Sequence, residues 1–216
     1  MRNILETIAA VIKQPTKFFK SIAKEKGIKD AVLFWVFIFA VNFVLSAVYY
    51  FRVNAFSYWA ILKVVTLPLV VGLIFLFVLI VHGFFKLFKG QGKYKDTFNL
   101  LVYTSVPNFL LGILANLVRI IAKPPATVET FSALGWPLMI FNMVIVLISL
   151  VWTLFLATKG GSILHKVRKV QSFLAVFVLP VLAIMLIMLL LGMLFSLGIF
   201  ASVFMAKMAV PVQSLV

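Results

Sequence analysis

The sequence contains no cysteine, which excludes disulfides, thiolate metal sites and thiol nucleophiles. Acidic residues are almost as scarce: Glu6, Glu25, Asp30, Asp96 and Glu129 are the only five in 216 residues. Each lies at or beyond the end of an apolar run. No carboxylate is therefore available inside a bilayer to carry a coupling proton or sodium ion, or to form the pair of an intramembrane aspartyl protease. Two histidines, His82 and His165, are too few to build a three-ligand metal site with so little carboxylate and no thiolate. They read as interfacial polar residues, His82 near the end of an apolar run and His165 in a basic loop. The serine-elbow, P-loop and zinc-protease motifs are absent. No catalytic residue, cofactor or metal is expected, and the chain reads as non-enzymatic.

What the sequence has in abundance is apolar surface. The apolar fraction is 64%, charged residues make up 12%, and the mean hydropathy is +1.20. A soluble domain runs nearer half apolar and a quarter charged, so lipid is the solvent this chain fits. Five runs approach the roughly 20 residues that cross about 30 Å of hydrocarbon. They cover residues 31–50, 62–85, 98–118, 135–157 and 173–193. Each is apolar all round, without the alternation of a transmembrane barrel, so an all-α polytopic bundle is expected. The fifth run continues past residue 193 and is interrupted by Gly192, Ser196 and Gly198. One span followed by an apolar tail is expected there. The division is a leader over 1–30, a five-helix membrane domain over 31–204 and a tail over 205–216.

The formal charge of +15 is distributed with a strong bias. Fifteen of the twenty basic residues fall in the leader, the loop after the second run and the loop after the fourth; five fall in the alternate segments. Positive loops stay in the cytoplasm, which predicts a cytoplasmic N-terminus and an external C-terminus in a cell-membrane protein. Trp35 and Trp152 fall near the inner boundary, and Trp59 and Trp136 near the outer one. The partner implied is the anionic cytoplasmic leaflet, together with other membrane proteins or further copies of the chain, and not nucleic acid.

The leader does not have the hydrophobic core of a cleavable signal and reads as two amphipathic helices broken at Pro15. In the second, Phe18, Phe19 and Ile22 share one side while Lys17, Lys20 and Lys24 share the other, the pattern of a helix lying on a membrane. Gly27 is expected to end it, and Asp30 to cap the first span. Lys17, Lys20, Lys24, Lys166, Arg168 and Lys169 are the candidate contacts for lipid headgroups. Gly160, Gly161 and Ser162, before the second basic group, fit either an anion nest or a linker between spans four and five. Inside the spans, Pro68, Pro107 and Pro180 bend helices, with Thr104 or Ser105 placed to compensate for the Tyr103 carbonyl. Asn42, Asn108, Asn116 and Asn142 join helices or line a polar cavity. Asn108 and Asn142, with Tyr103 and Ser105, are the candidates for such a cavity between spans two and four. The loops over 84–96 and 158–170 are candidates for docking a soluble partner.

These features come in a distinctive order. A basic amphipathic leader with Gln14, Pro15 and Thr16 precedes the first span. The loop then reads Gly90, Gln91, Gly92, Lys93, Tyr94, Lys95, Asp96, Thr97, Phe98, and runs into Tyr103, Thr104, Ser105, Val106, Pro107. Trp152 to Lys159 leads into Gly160–Gly161 and a basic stretch before the last span. Over residues 10–200 this resembles the Yip-domain family, five-span membrane proteins with a cytoplasmic N-terminus. The motif residues that carry the resemblance are Gly90, Gly92, Tyr94, Thr97, Tyr103, Ser105 and Pro107. It implies a role in organising or shaping membrane or scaffolding partners; eukaryotic members serve vesicle traffic and partner small Rab-type GTPases. The leader of about 30 residues stands where they have a long soluble N-terminal region, which weighs against GTPase binding; the size, lysine-rich loops and lack of cysteine look more like a prokaryotic member. An uncoupled transporter or lipid-moving protein is the alternative.

Overall fold

The computed structural model describes residues 3–24, 28–52, 54, 56–121 and 128–208. They are mostly helical, with no strand among them. Two short helices lead, α1 (Ile4–Lys13) and α2 (Pro15–Ile22), followed by α3 (Lys29–Arg52) and α4 (Phe56–Leu87). Next come α5 (Tyr94–Thr104), α6 (Val106–Ile121), α7 (Val128–Leu164) and α8 (Lys169–Phe173). A π-helical turn, Leu174–Val178, joins α8 to α9 (Leu179–Met208). Five stretches among the described residues are long and apolar enough to cross a membrane: Lys29–Arg52, Phe56–Leu87, Tyr94–Ile121, Met139–Leu164 and Lys169–Leu197. The chain is an all-α polytopic bundle. It divides into two compact units, Met1–Val176 and Phe177–Val216.

In the first unit the helix ends follow local chemistry. The Asn3 side chain accepts the Leu5 N–H at 3.1 Å, and Glu6 and Lys13 sit at the ends of α1 where the helix dipole favours them. Pro15 opens α2 at its first position, where a missing N–H costs nothing. The amphipathic pattern of α2 is present, but its apolar face is turned to protein, not to lipid. Phe18, Phe19 and Ile22 are buried, while Lys17, Lys20 and Lys24 are exposed. Phe18 meets Tyr103 edge-on at 4.9 Å, and Tyr103 in turn tilts against Phe34 at 5.3 Å. Gly27 lies outside the described residues. Asp30 falls within the first turn of α3, not before it.

The third span is two helices. Pro107 has no N–H to give, and Ser105 is left between α5 and α6. The neighbouring hydroxyls do not reach the Tyr103 carbonyl but turn two residues and one residue further back: Thr104 Oγ1 donates to Leu101 O at 3.2 Å and Ser105 Oγ to Val102 O at 2.6 Å. By contrast α4 runs through Pro68 unbroken, with Thr66 Oγ1 donating to Leu62 O at 2.8 Å.

Two helices outrun the membrane. At 1.5 Å per residue, the 32 residues of α4 and the 37 of α7 reach about 48 and 55 Å, against about 30 Å of hydrocarbon. Their excess at the lysine-rich end replaces most of the expected loops. The connection after α4 shrinks to residues 88–93 and that after α7 to 165–168. Gly160 and Gly161 therefore lie inside α7, neither in a nest nor in a linker. The core gathers at this end from α2, α4, α5 and α7, with Phe19, Phe85, Leu100 and Leu156 fully buried. Along the mid-span faces of α4 and α7, Val64, Leu69, Val146 and Val151 stand exposed, the surface that a bilayer covers.

In the second unit α9 continues to Met208 without a break at Gly192, Ser196 or Gly198. Its exposed side chains are leucine, isoleucine and methionine almost throughout.

Candidate functional site

The family-like motif builds one compact structure at the lysine-rich end. It starts where α4 stops. Lys89 takes a left-handed conformation (φ 58°), the Gly90 N–H reaches Phe85 O at 2.9 Å, and the Lys89 N–H reaches Lys86 O at 2.9 Å. This pair of bonds is a Schellman close, which satisfies the last carbonyls of the helix. The chain then runs past the end of α7, where the Gln91 N–H donates to His165 O at 2.9 Å. The Asp96 carboxylate accepts the Lys93 N–H at 2.7 Å and starts α5.

His165 is the centre of the arrangement. The sequence placed it in a basic loop as an interfacial polar residue; in the structure it is wholly buried. Its ring lies parallel to Phe85 with centroids 3.8 Å apart. The two motif glycines make room for it. A Cβ on Gly92 would fall 2.7 Å from His165 Cε1, and one on Gly90 would fall 2.8 Å from Phe85 O and 3.4 Å from His165 Cβ. No residue but glycine fits at 92 without displacing the imidazole. On the far side, Cβ atoms on Gly160 and Gly161 would meet the Phe19 ring and Phe85 Cζ, each at 2.8 Å. These glycines let α7 seat against α2, α4 and α5. Ser172 of α8 closes the packing by donating to Ala157 O at 3.2 Å.

Thr97 joins both histidines. Its Oγ1 lies 2.9 Å from His82 Nδ1 and 3.1 Å from His165 Nε2. A hydroxyl has one proton, so one ring must donate to it and the other accept. His165 Nδ1 is buried without a partner among the described residues. A bare lone pair there costs less than an orphaned N–H. That assigns the His165 proton to Nε2, donating to Thr97, and the Thr97 proton to His82 Nδ1. Burial first, and then the neighbouring His82 ring and the Lys86 ammonium, which disfavour a further positive charge, hold the His165 pKa down at about 3, so the ring is neutral.

The basic residues surround this packed centre. Lys17, Lys20, Lys24, Lys166, Arg168 and Lys169 are all exposed. Lys166, directly after His165, is held at φ 53°. Lys24, Lys93, Lys95 and Lys166 border one depression of about 440 Å³, with Asp96 the acid on its wall.

A second polar feature lies between α6 and α7, a groove of about 410 Å³. Asn108, Asn116 and Arg119 line it from one face of α6, and Asn142, Ser149 and Thr153 from one face of α7. Ser149 Oγ hydrogen-bonds Asn108 Oδ1, and Asn116 Nδ2 reaches back to Asn42 Oδ1 of α3 at 3.4 Å. Asn108 and Asn142 thus share a lining. Tyr103 and Ser105 do not belong to it: Tyr103 is buried between Phe18 and Phe34, and Ser105 is spent on the helix break. Among the described residues the lining comes from spans three and four.

Five apolar helices and a packed, lysine-ringed end define a multi-pass integral membrane protein. The Yip1 domain model matches residues 9–208, and the chain belongs to that family. No curated protein and no solved structure gives a significant match to it.

The motif residues Gly90, Gly92 and Thr97 come together around His165, and Tyr94 meets the His82 ring with centroids 5.9 Å apart; Tyr103, Ser105 and Pro107 lie about two to three turns further along the same span. Sequence reasoning missed both histidines. The available signal was that the motif threonine and the chain's two histidines fall at the same end of their spans.

Proposed function

We propose that this protein is a non-enzymatic organiser of the membrane, which gathers anionic lipid, and with it other membrane proteins or further copies of itself, at a cytoplasmic lysine-rich end. The N-terminus is cytoplasmic and the C-terminus external in this reading. One observation carries it: the titratable side chains inside this end are tied into the packing, and the cations are left at its surface. His82, Thr97, His165 and Asp96 are committed to hydrogen bonds within the packing, while the lysines and Arg168 face outward. A fixed platform of positive charge matches the negative cytoplasmic leaflet, where each Lys or Arg near the surface contributes about 1 kcal/mol.

The test is reconstitution of the full chain in bilayers of phosphatidylglycerol and phosphatidylcholine, with the lipid retained around it measured by mass spectrometry. Phosphatidylglycerol is expected in excess of its bulk share. Replacing Lys17, Lys20, Lys24, Lys166, Arg168 and Lys169 with glutamine is expected to abolish the excess. Bulk proportions around the unaltered chain would refute the reading.

The groove of Asn108 and Asn142 favours a second reading, an uncoupled transporter or lipid-moving protein. From Asn108 to Arg119 the polar stripe extends about 16 Å along α6, roughly half the hydrocarbon thickness. A stripe of that length accommodates a polar group midway through the bilayer without a titrating carboxylate.

A further inference from the structure

We infer that the depression bordered by Lys24, Lys93, Lys95 and Lys166 is a discrete binding site for a phosphate compound carrying two or more negative charges. The four lysines come from three separate segments: the end of α2, the start of α5 with the loop before it, and the loop after α7. Charges on flexible surface chains avoid one another when nothing gathers them. Here the backbone gathers them. The loops bearing Lys93 and Lys166 are pinned together by the Gln91 N–H to His165 O bond at 2.9 Å, and by the seating of Gly92 on the His165 ring. Lys166 is fixed in a left-handed conformation (φ 53°) that disfavours any residue with a Cβ.

Among the described residues, Lys24, Lys93 and Lys166 have no ion-pair partner for the charge gathered there. Among the described residues Asp96 is the one acid on the wall, and it is engaged: one oxygen accepts the Lys93 N–H at 2.7 Å, and the other lies 3.7 Å from Lys95 Nζ. The floor formed by Ile163 and Leu164 is apolar, which lowers the local dielectric and strengthens the pull on an anion. Lysine binds phosphate as a point charge, and several ammonium groups already held in place bind it without losing the entropy of assembly. A volume of about 440 Å³ falls within the range of small-ligand sites. The chemistry fits the two phosphates of an anionic lipid headgroup or a free polyphosphate. The lipid source rests on the proposed orientation toward the anionic leaflet; the free-anion source does not.

The experiment uses the full chain in neutral-lipid nanodiscs, titrated with inorganic pyrophosphate in one arm and with increasing cardiolipin in the other. Saturable binding of one equivalent is expected in at least one arm, and that arm identifies the source. Lys93→Gln with Lys166→Asn, asparagine being tolerant of the left-handed position, is expected to weaken binding at least about tenfold. Lys17→Gln with Lys20→Gln removes the same charge outside the depression and is expected to cost less than about threefold. Lys93→Arg with Lys166→Arg is expected to retain binding, which separates lost charge from lost folding. Equal losses in the two glutamine-bearing variants, or no saturable binding in either arm, would overturn the site. Pyrophosphate binding without phosphatidylglycerol excess around the chain would overturn the surface reading and leave this site standing.

Discussion

Acidification from pH 7.5 to 5 is expected to destabilise this fold by about 2 kcal/mol through His165 alone. Burial against Phe85 holds the ring's pKa at about 3, whereas an unfolded histidine titrates near 6.5. The sign follows from those two values. Above pH 6.5 neither state is protonated and the full stability is present. As the pH falls below 6.5 the unfolded chain takes up a proton that the native ring refuses, and stability drains until about pH 3. At pH 5 the gap spans about 1.5 pH units at roughly 1.36 kcal/mol each. The four tryptophans provide a fluorescence signal for thermal unfolding in neutral-lipid nanodiscs. For a chain of this length, about 2 kcal/mol corresponds to a fall of roughly 4–8 °C in Tm. His165→Gln keeps a donor toward Thr97 but does not titrate. It is expected to melt lower at pH 7.5, where the stack on Phe85 is lost, and to show a pH slope shallower by the His165 share. A flat profile in the unaltered chain, or the same slope in both chains, would refute the reasoning.

Gly92→Ala forces a methyl group into the imidazole and is expected to cost about 1–3 kcal/mol, read as a lower Tm, whereas Gln91→Ala beside it leaves Tm nearly unchanged. Reporter tags at Tyr94 and Thr127 are expected to label from opposite sides of the membrane, and labelling from one side only would refute the five-span topology.

The spans were legible because their signal is redundant: each is a long run in which almost any residue reports lipid. The break in the third was legible in kind, since Pro107 announces it, but not in detail. Which carbonyls Thr104 and Ser105 reach depends on where the hydroxyls swing once the turn has opened. The leader shows what one-dimensional amphipathicity leaves out. Phe18, Phe19 and Ile22 share a face whether that face meets lipid or protein, and the deciding fact, a pair of glycines on α7, lies about 140 residues further along the chain. His165 was hidden for a related reason. Lysines and an arginine flank it in sequence, yet α7 extends past the membrane and carries the ring inward. The groove was half legible: Asn108 and Asn142 could be paired from topology, whereas Tyr103 was assigned to a cavity when an aromatic cluster had already claimed it.

The way α2 is seated has a mechanical consequence. A basic segment joined to its spans by loose chain would be a tether, free to follow the headgroups while the spans stayed still. Here the rings of Phe18 and Phe19 are keyed into Tyr103 and against the notch at Gly160. Any load taken up by the ammonium groups of Lys17 and Lys20 passes through those rings into the third and fourth spans. The short helix is a handle on those two spans.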